Sequence, residues 1–172
     1  QDVSVRSTSY PQTPMMHDIA AIQYMYGANF GYNAGNTVYE FSPGDSKIFQ
    51  TIWDGNGNDT YDASAYTTGV DIQLTPGNWS TLAAAQLAEL GNGVKAPGSV
   101  ANALLYQSDT RSLIENAIGG SGDDSLRGNA GDNQLTGGAG SDQLWGGSAG
   151  ADVLIDAEGE NGFWWTVGEG SD

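Results

Sequence analysis

Aspartate and glycine recur in this chain at a spacing suited to holding a hard cation. Gly119-Gly120-Ser121-Gly122-Asp123-Asp124-Ser125-Leu126-Arg127 is a nine-residue unit, repeated at Gly128–Thr136 and Gly137–Trp145. After one extra residue, placed at Gly146, a fourth unit spans Gly147–Ile155 and carries Gly150, Asp152 and Leu154. A fifth, Asp156–Trp164, is degenerate but keeps Gly159, Asn161 and Phe163 in phase, and an isolated earlier copy stands at Asp54–Asp62. Such a repeat reads as a tight turn followed by a very short strand. Glycines let successive carbonyls turn into one cleft. The sixth residue (Asp124, Asn133, Asp142) adds a side-chain oxygen, and the eighth (Leu126, Leu135, Leu144) points into a narrow core. Two units make one coil, so Asp124 is expected over Asp142 and Asn133 over Asp152. Calcium accepts roughly six to eight oxygens at ~2.3–2.6 Å in flexible geometry, which facing turns can supply, whereas magnesium demands a tighter octahedron.

Electrostatics makes the ion more than an accessory. Stacked rungs lie ~4.8 Å apart. Two carboxylates at about 5 Å repel by ~3 kcal/mol at an effective dielectric near 20. A few such pairs rival a net stability of ~5–15 kcal/mol. The Gly/Asp segment is therefore expected to be largely unfolded without calcium.

The remaining composition narrows the function classes. The chain has 172 residues, 5 Lys+Arg against 21 Asp+Glu, a formal net charge of −16, 26 Gly and no Cys. Disulfides and thiolate metal sites are excluded, and the acidity disfavours nucleic acid. No apolar run approaches the ~20 residues of a membrane span. No Gly-Lys-Ser/Thr follows any glycine loop, so phosphate cradling is excluded. The single histidine, His17, cannot build a catalytic zinc site, which takes three protein ligands. No nucleophile with a paired base stands out, and the chain itself is expected to hydrolyse nothing.

These residues need elements to position them. Thr13 and Pro14 open a helix that Gly27 closes, with Met15, Ile19, Ile22 and Tyr26 as one buried stripe. Thr37–Phe41, Lys47–Trp53, the alternating Val70, Ile72 and Leu74, and Leu113–Ile118 read as strands. Ser80 caps an expected second helix ended by Gly91, and Phe163-Trp164-Trp165 is expected to plug the open end of the coil. The fold class is mainly β: a parallel β-roll preceded by a mixed β-sandwich-like region with two short helices. Its parts are a linker and helix (1–30), a β-rich lead-in with the first calcium loop (31–118) and the roll (119–172).

The nonapeptides resemble RTX (haemolysin-type) calcium-binding β-rolls. Tyr10–Asn29 resembles the stretch joining the catalytic domain of serralysin-type secreted zinc metalloproteases to their roll, and Thr51–Asp62 and Leu113–Asp124 resemble that family's calcium-site segments. The resemblance implies calcium ligands at Asp54, Asn56, Gly57 and Asp59, with Leu113 and Glu115 closing a site. It continues them through Gly120, Gly122 and Asp124, then Asn129, Gly131 and Asn133, then Gly138, Gly140, Asp142 and Asp152. It further implies several Ca²⁺ ions, with Zn²⁺ only in an upstream protease domain. It implies bacterial secretion to the extracellular space through type I export machinery, and neither nucleic-acid binding nor membrane insertion. The HExxHxxGxxH zinc motif, the Met-turn and the C-terminal secretion signal are absent, and the segment between Phe41 and Lys47 is shorter than the family pattern. The expectation is a fragment or degenerate relative of a larger protease that works as a calcium-folded module. The alternative is a structural or adhesive segment of another RTX protein.

Overall fold

Glycine turns interrupt the chain so often that its strands span three residues or fewer. The structure is a computed structural model and describes residues 9–156 and 158–164. In chain order the strands are β1 (Val38–Glu40), β2 (Gln50–Ile52), β3 (Thr60–Asp62), β4 (Asp71–Gln73), β5 (Trp79–Ser80), β6 (Glu89–Gly91) and β7 (Val94–Lys95). They continue with β8 (Val100–Asn102), β9 (Asn116–Ile118), β10 (Ser125–Arg127), β11 (Gln134–Thr136), β12 (Gln143–Trp145), β13 (Val153–Ile155) and β14 (Gly162–Trp164). The α-helix α1 covers Met16–Tyr26, and two 3₁₀ turns cover Tyr106–Ser108 and Thr110–Ser112.

From β9 onward the strands alternate between two parallel sheets, ordered β1-β3-β9-β11-β13 and β14-β12-β10-β4. This is the topology of a parallel roll, with two strands per coil. Register stacks Tyr39, Tyr61, Ala117, Leu135 and Leu154 in one column. Ile72, Leu126, Leu144 and Phe163 stack in the other. Leu126, Leu135 and Leu144 are fully buried, and both columns share one apolar core. A third sheet, β2-β8-β5, flanks them.

The extra residue sits two or three positions later than the repeat suggests, inside the turn that Gly146 opens. Gly146 takes the first place of its unit, donating to the Trp164 carbonyl as Gly128 does to that of Trp145. A Cβ on Gly147 would meet the Asn129 carbonyl, and one on Gly150 the Gly131 carbonyl. The additional residue therefore lies between Gly147 and Gly150, and the coil lengthens without breaking strand register.

Three local expectations are corrected. The second helix does not form: Ser80 lies in β5, and the following segment is turns ending in the β6–β7 hairpin. Its carbonyls are claimed elsewhere, Ala85 and Leu87 accepting from Lys47 Nζ at 2.8 and 2.9 Å. Buried Gln86 is fixed to the Ser42 and Asp45 carbonyls and to the Tyr66 hydroxyl. Tertiary partners override a modest helix propensity. The segment still covers a sheet edge, because Asp71 and Thr81 exchange backbone hydrogen bonds of 2.9 and 2.7 Å.

At α1 the cap is Met15, whose amide donates to Asp18 Oδ2 at 3.1 Å. Thr13 instead bonds the Thr51 backbone through its hydroxyl. The expected buried stripe is only half covered: Met15 and Ile19 are half-buried, Met15 against the Phe49–Ala88–Ala96 cluster, whereas Ile22 and Tyr26 are 50% and 82% exposed. Finally, Leu113 ends a 3₁₀ turn, and the expected strand begins only at Asn116. Trp165, the last residue of the expected plug, lies outside the described residues, while Phe163 and Trp164 remain 41% and 44% exposed.

Candidate metal centre

The turns before the strands stack along the two edges of the roll, and each edge carries a ladder of backbone-to-side-chain bonds. Beside β4, β10, β12 and β14, the Val70 amide donates to Asp124 Oδ1 (2.8 Å), the Asp124 amide to Asp142 Oδ1 (2.8 Å) and the Asp142 amide to Asn161 Oδ1 (2.9 Å). Asp124 Oδ2 also accepts from the Gly120 amide at 2.6 Å. Glycines are sterically required here. A Cβ on Gly119 would meet Asp124 Oδ2 and one on Gly137 would meet Asp142 Oδ2. The Gly120 and Gly122 carbonyls lie where Cβ atoms on Gly138 and Gly140 would project.

Beside the other sheet, the Thr37 amide donates to Asp59 Oδ1 (2.8 Å) and the Asp59 amide to Glu115 Oε2 (2.7 Å). Asp54 Oδ1 accepts from the Asn56 amide (3.1 Å), and its Oδ2 accepts from the Tyr39 hydroxyl (2.6 Å). Gly57 brings its Cα close to the Gly35 carbonyl and to the Asp59 carboxylate. Further along, the Asn133 amide donates to Asp152 Oδ1 at 3.0 Å. The nominated positions thus fall into three groups: Asp54, Asn56, Gly57, Asp59 and Glu115; Gly120, Gly122, Asp124, Gly138, Gly140 and Asp142; and Asn129, Gly131, Asn133 and Asp152. Leu113 is buried and bridges toward the third, its Cδ1 lying 3.2 Å from where a Gly131 Cβ would stand.

Such stacked turns, glycine-lined and tipped with carboxylates, invite comparison with known proteins. A family model described as Peptidase M10 serralysin C terminal matches residues 17–172. The chain belongs to this serralysin C-terminal family. It is similar to Metalloprotease AprA of Pseudomonas entomophila, 39% identical over 130 residues, which is 69% of this chain and 23% of that protein. It is also similar to Serralysin B of Dickeya chrysanthemi (39% over 128 residues; 68% and 23%) and Serralysin of Proteus mirabilis (34% over 131 residues; 70% and 23%). The chain spans under a quarter of the length of these curated relatives.

In this serralysin C-terminal chain the ladders bury charge without neutralising it. Asp59 is fully buried, and its Oδ2 receives no hydrogen bond; the same holds for Asp142 Oδ2. Burial first, then the neighbouring Asp54 and Glu115 charges, push the Asp59 carboxyl up to about 7 against the Thr37 hydrogen bond. Burial, with Asp156 and Asp124 nearby, pushes Asp142 up to about 6. Asp124 and Glu115 are raised for the same primary reason.

A buried, donor-less carboxylate oxygen facing other carboxylates fits a missing positive charge. Among the described residues no three His, Asp or Glu side chains form a metal cage alone. A cation here would be held by carboxylates mixed with turn carbonyls, the donor chemistry of a hard ion. The facing turn at Tyr32–Thr37 was not foreseen. It supplies the Thr37 amide to Asp59, the Asn36 side chain to the Asn58 amide (3.1 Å) and the Tyr32 carbonyl to the Gly55 amide (2.9 Å). Its signal was present as Asn33-Ala34-Gly35-Asn36 directly before a strand, the same turn-then-strand grammar at a different length.

Proposed function

We propose that this chain is a calcium-binding module that folds after export of a secreted zinc metalloprotease and stabilises it. The buried, donor-less oxygens of Asp59 and Asp142, each set among other carboxylates, carry this reading. One ion would be held by Asp54, Asp59 and Glu115, with carbonyls of the Asn56–Gly57 turn. Others would be held by Asp124 and Asp142 with the Gly120, Gly122, Gly138 and Gly140 turns, and by the turn of Asp152. The ion supplies positive charge that offsets carboxylate repulsion, so ligand binding is folding free energy. Low calcium inside the cell keeps the roll unfolded for a type I exporter, and high calcium outside folds it. Family membership and similarity to serralysins support an upstream catalytic domain, where zinc would reside. The exposed apolar face of α1, with Ile22 50%, Met25 62% and Tyr26 82% exposed, supports a neighbour on that side. Calorimetric titration of the chelator-treated chain tests the reading. It should show several calcium ions bound, with magnesium much weaker; no heat with calcium rejects it.

A further inference from the structure

The third group of positions is built differently from the other two. Asn129 and Asn133 are 3% and 2% exposed, yet every polar atom of both side chains has a partner. Asn133 Oδ1 accepts from the Asn129 amide (2.8 Å), and Asn133 Nδ2 donates to the Glu115 carbonyl (2.9 Å) and to Asn129 Oδ1 (3.2 Å). Asn129 Oδ1 also accepts from the Gly131 amide (2.8 Å), and Asn129 Nδ2 donates to the Ile114 carbonyl (2.7 Å) and the Leu74 carbonyl (3.3 Å). Against the first-place glycine, where Asp142 sets its donor-less Oδ2, Asn133 sets an Oδ1 that accepts from the Asn129 amide. Toward the preceding rung, where Asp142 Oδ1 accepts from the Asp124 amide, Asn133 places an NH₂ that donates to the Glu115 carbonyl. An amide nitrogen only donates. It repels a cation and satisfies the oxygens a cation would otherwise gather.

We infer that the Asn129–Asn133 turn is a cation-free rung, in which the Asn133 amide occupies the place of the ion between the Glu115 carbonyl and the Asn129 side chain. This rests on the calcium-binding reading above and refines which turns take part. Asn129, Gly131 and Asn133, nominated as metal ligands from the sequence, are then internal hydrogen-bond partners. The rung divides the edge: Asp59 and Glu115 need an ion on one side, the Asp152 turn lies on the other, and the turn between them is closed without one. With Asp at position 133, a second carboxylate oxygen would face the Glu115 carbonyl and Asn129 Oδ1, acceptor against acceptor, and would call for a cation.

Counting calcium per chain by native mass spectrometry separates the outcomes. The unmutated chain and Asn133→Ala should hold the same number of ions, and Asn133→Asp should hold one more. An ion lost in Asn133→Ala, or none gained in Asn133→Asp, overturns the inference while leaving the calcium reading intact. A chain that takes up no calcium at all overturns that reading and the inference with it. Crystals of the unmutated chain grown in calcium give a variant-free check. Anomalous density beside Asn133 Nδ2 contradicts the inference, whereas density confined to the Asp59, Asp142 and Asp152 turns supports it.

Discussion

Asp142 and Asn133 hold the same place in successive units, and one atom separates their behaviour. Asp142 keeps an oxygen that no donor reaches, while Asn133 has its oxygen met by the Asn129 amide and its nitrogen bonded to two acceptors. Asp142→Asn should therefore act in opposite directions in two media. In chelator it should raise the residual β signal by relieving a buried carboxylate. In calcium it should weaken affinity by tenfold or more, a loss of about 1.4 kcal/mol or above; circular dichroism and titration calorimetry measure the two. The raised carboxyls also set a pH dependence. Without calcium, folded Asp59 and Asp142 keep protons up to about pH 7 and 6, while an unfolded Asp releases its proton near ~3.9. The folded state then binds more protons across that window, so stability falls as pH rises through it. The calcium-free chain should therefore show more β structure by circular dichroism at pH 5 than at pH 7.5, and saturating calcium should flatten the difference. A calcium-free β signal that grows as pH rises over that window would show these carboxyls are not the controlling groups.

At the scale of elements, the periodic parts were legible and the singular parts were not. The nine-residue period places Leu126, Leu135 and Leu144 in the core and stacks Asp124 on Asp142, because each unit repeats one local solution. The segment after Ser80 has helical spacing, but Lys47, Ser42 and Tyr66 reach it from elsewhere in the chain and hold it in turns. An Asn92-Gly93 pair, with φ of 51° and 76°, was the local hint of a hairpin instead. The stripe of α1 was legible as apolar but not as exposed, since exposure depends on what packs against it. Turn glycines allow a sharper test of the same logic. Gly137→Ala places a Cβ against Asp142 Oδ2 and within 2.9 Å of Asp156 Oδ2, which should cost about 1–3 kcal/mol. Gly44→Ala meets only the Ser42 hydroxyl at 3.4 Å and should stay within about 0.5 kcal/mol. Urea unfolding in calcium compares them, and equal losses would mean that the first-place glycines are not there for the carboxylates.

For the whole molecule, the question is how a chain of net charge −16 folds around so slim a core. Each coil buries one side chain per strand, such as Leu135 or Leu144, and the columns end in half-exposed Leu154 and Phe163. Folding also gathers Asp54, Asp59 and Glu115 on one edge, and Asp124, Asp142 and Asp156 on the other, as their mutual effects on protonation record. Repulsion of ~3 kcal/mol per close pair, taken over these groups, is comparable to an ordinary net stability of ~5–15 kcal/mol. Monovalent salt screens exposed charges but reaches buried ones far less, so ionic strength cannot replace a bound divalent ion. Circular dichroism of the full chain should therefore lose most of its β signal in excess chelator and regain it on adding calcium. Equimolar magnesium should restore little, because the turns offer flexible carbonyl geometry rather than a tight octahedron, and high sodium chloride should restore little for want of access. A β spectrum unchanged by chelator would mean that the apolar columns suffice alone. The buried Asp59 and Asp142 carboxyls would then be accommodated by protons below about pH 7 and 6 rather than by an ion, and the calcium dependence of folding would have to be abandoned.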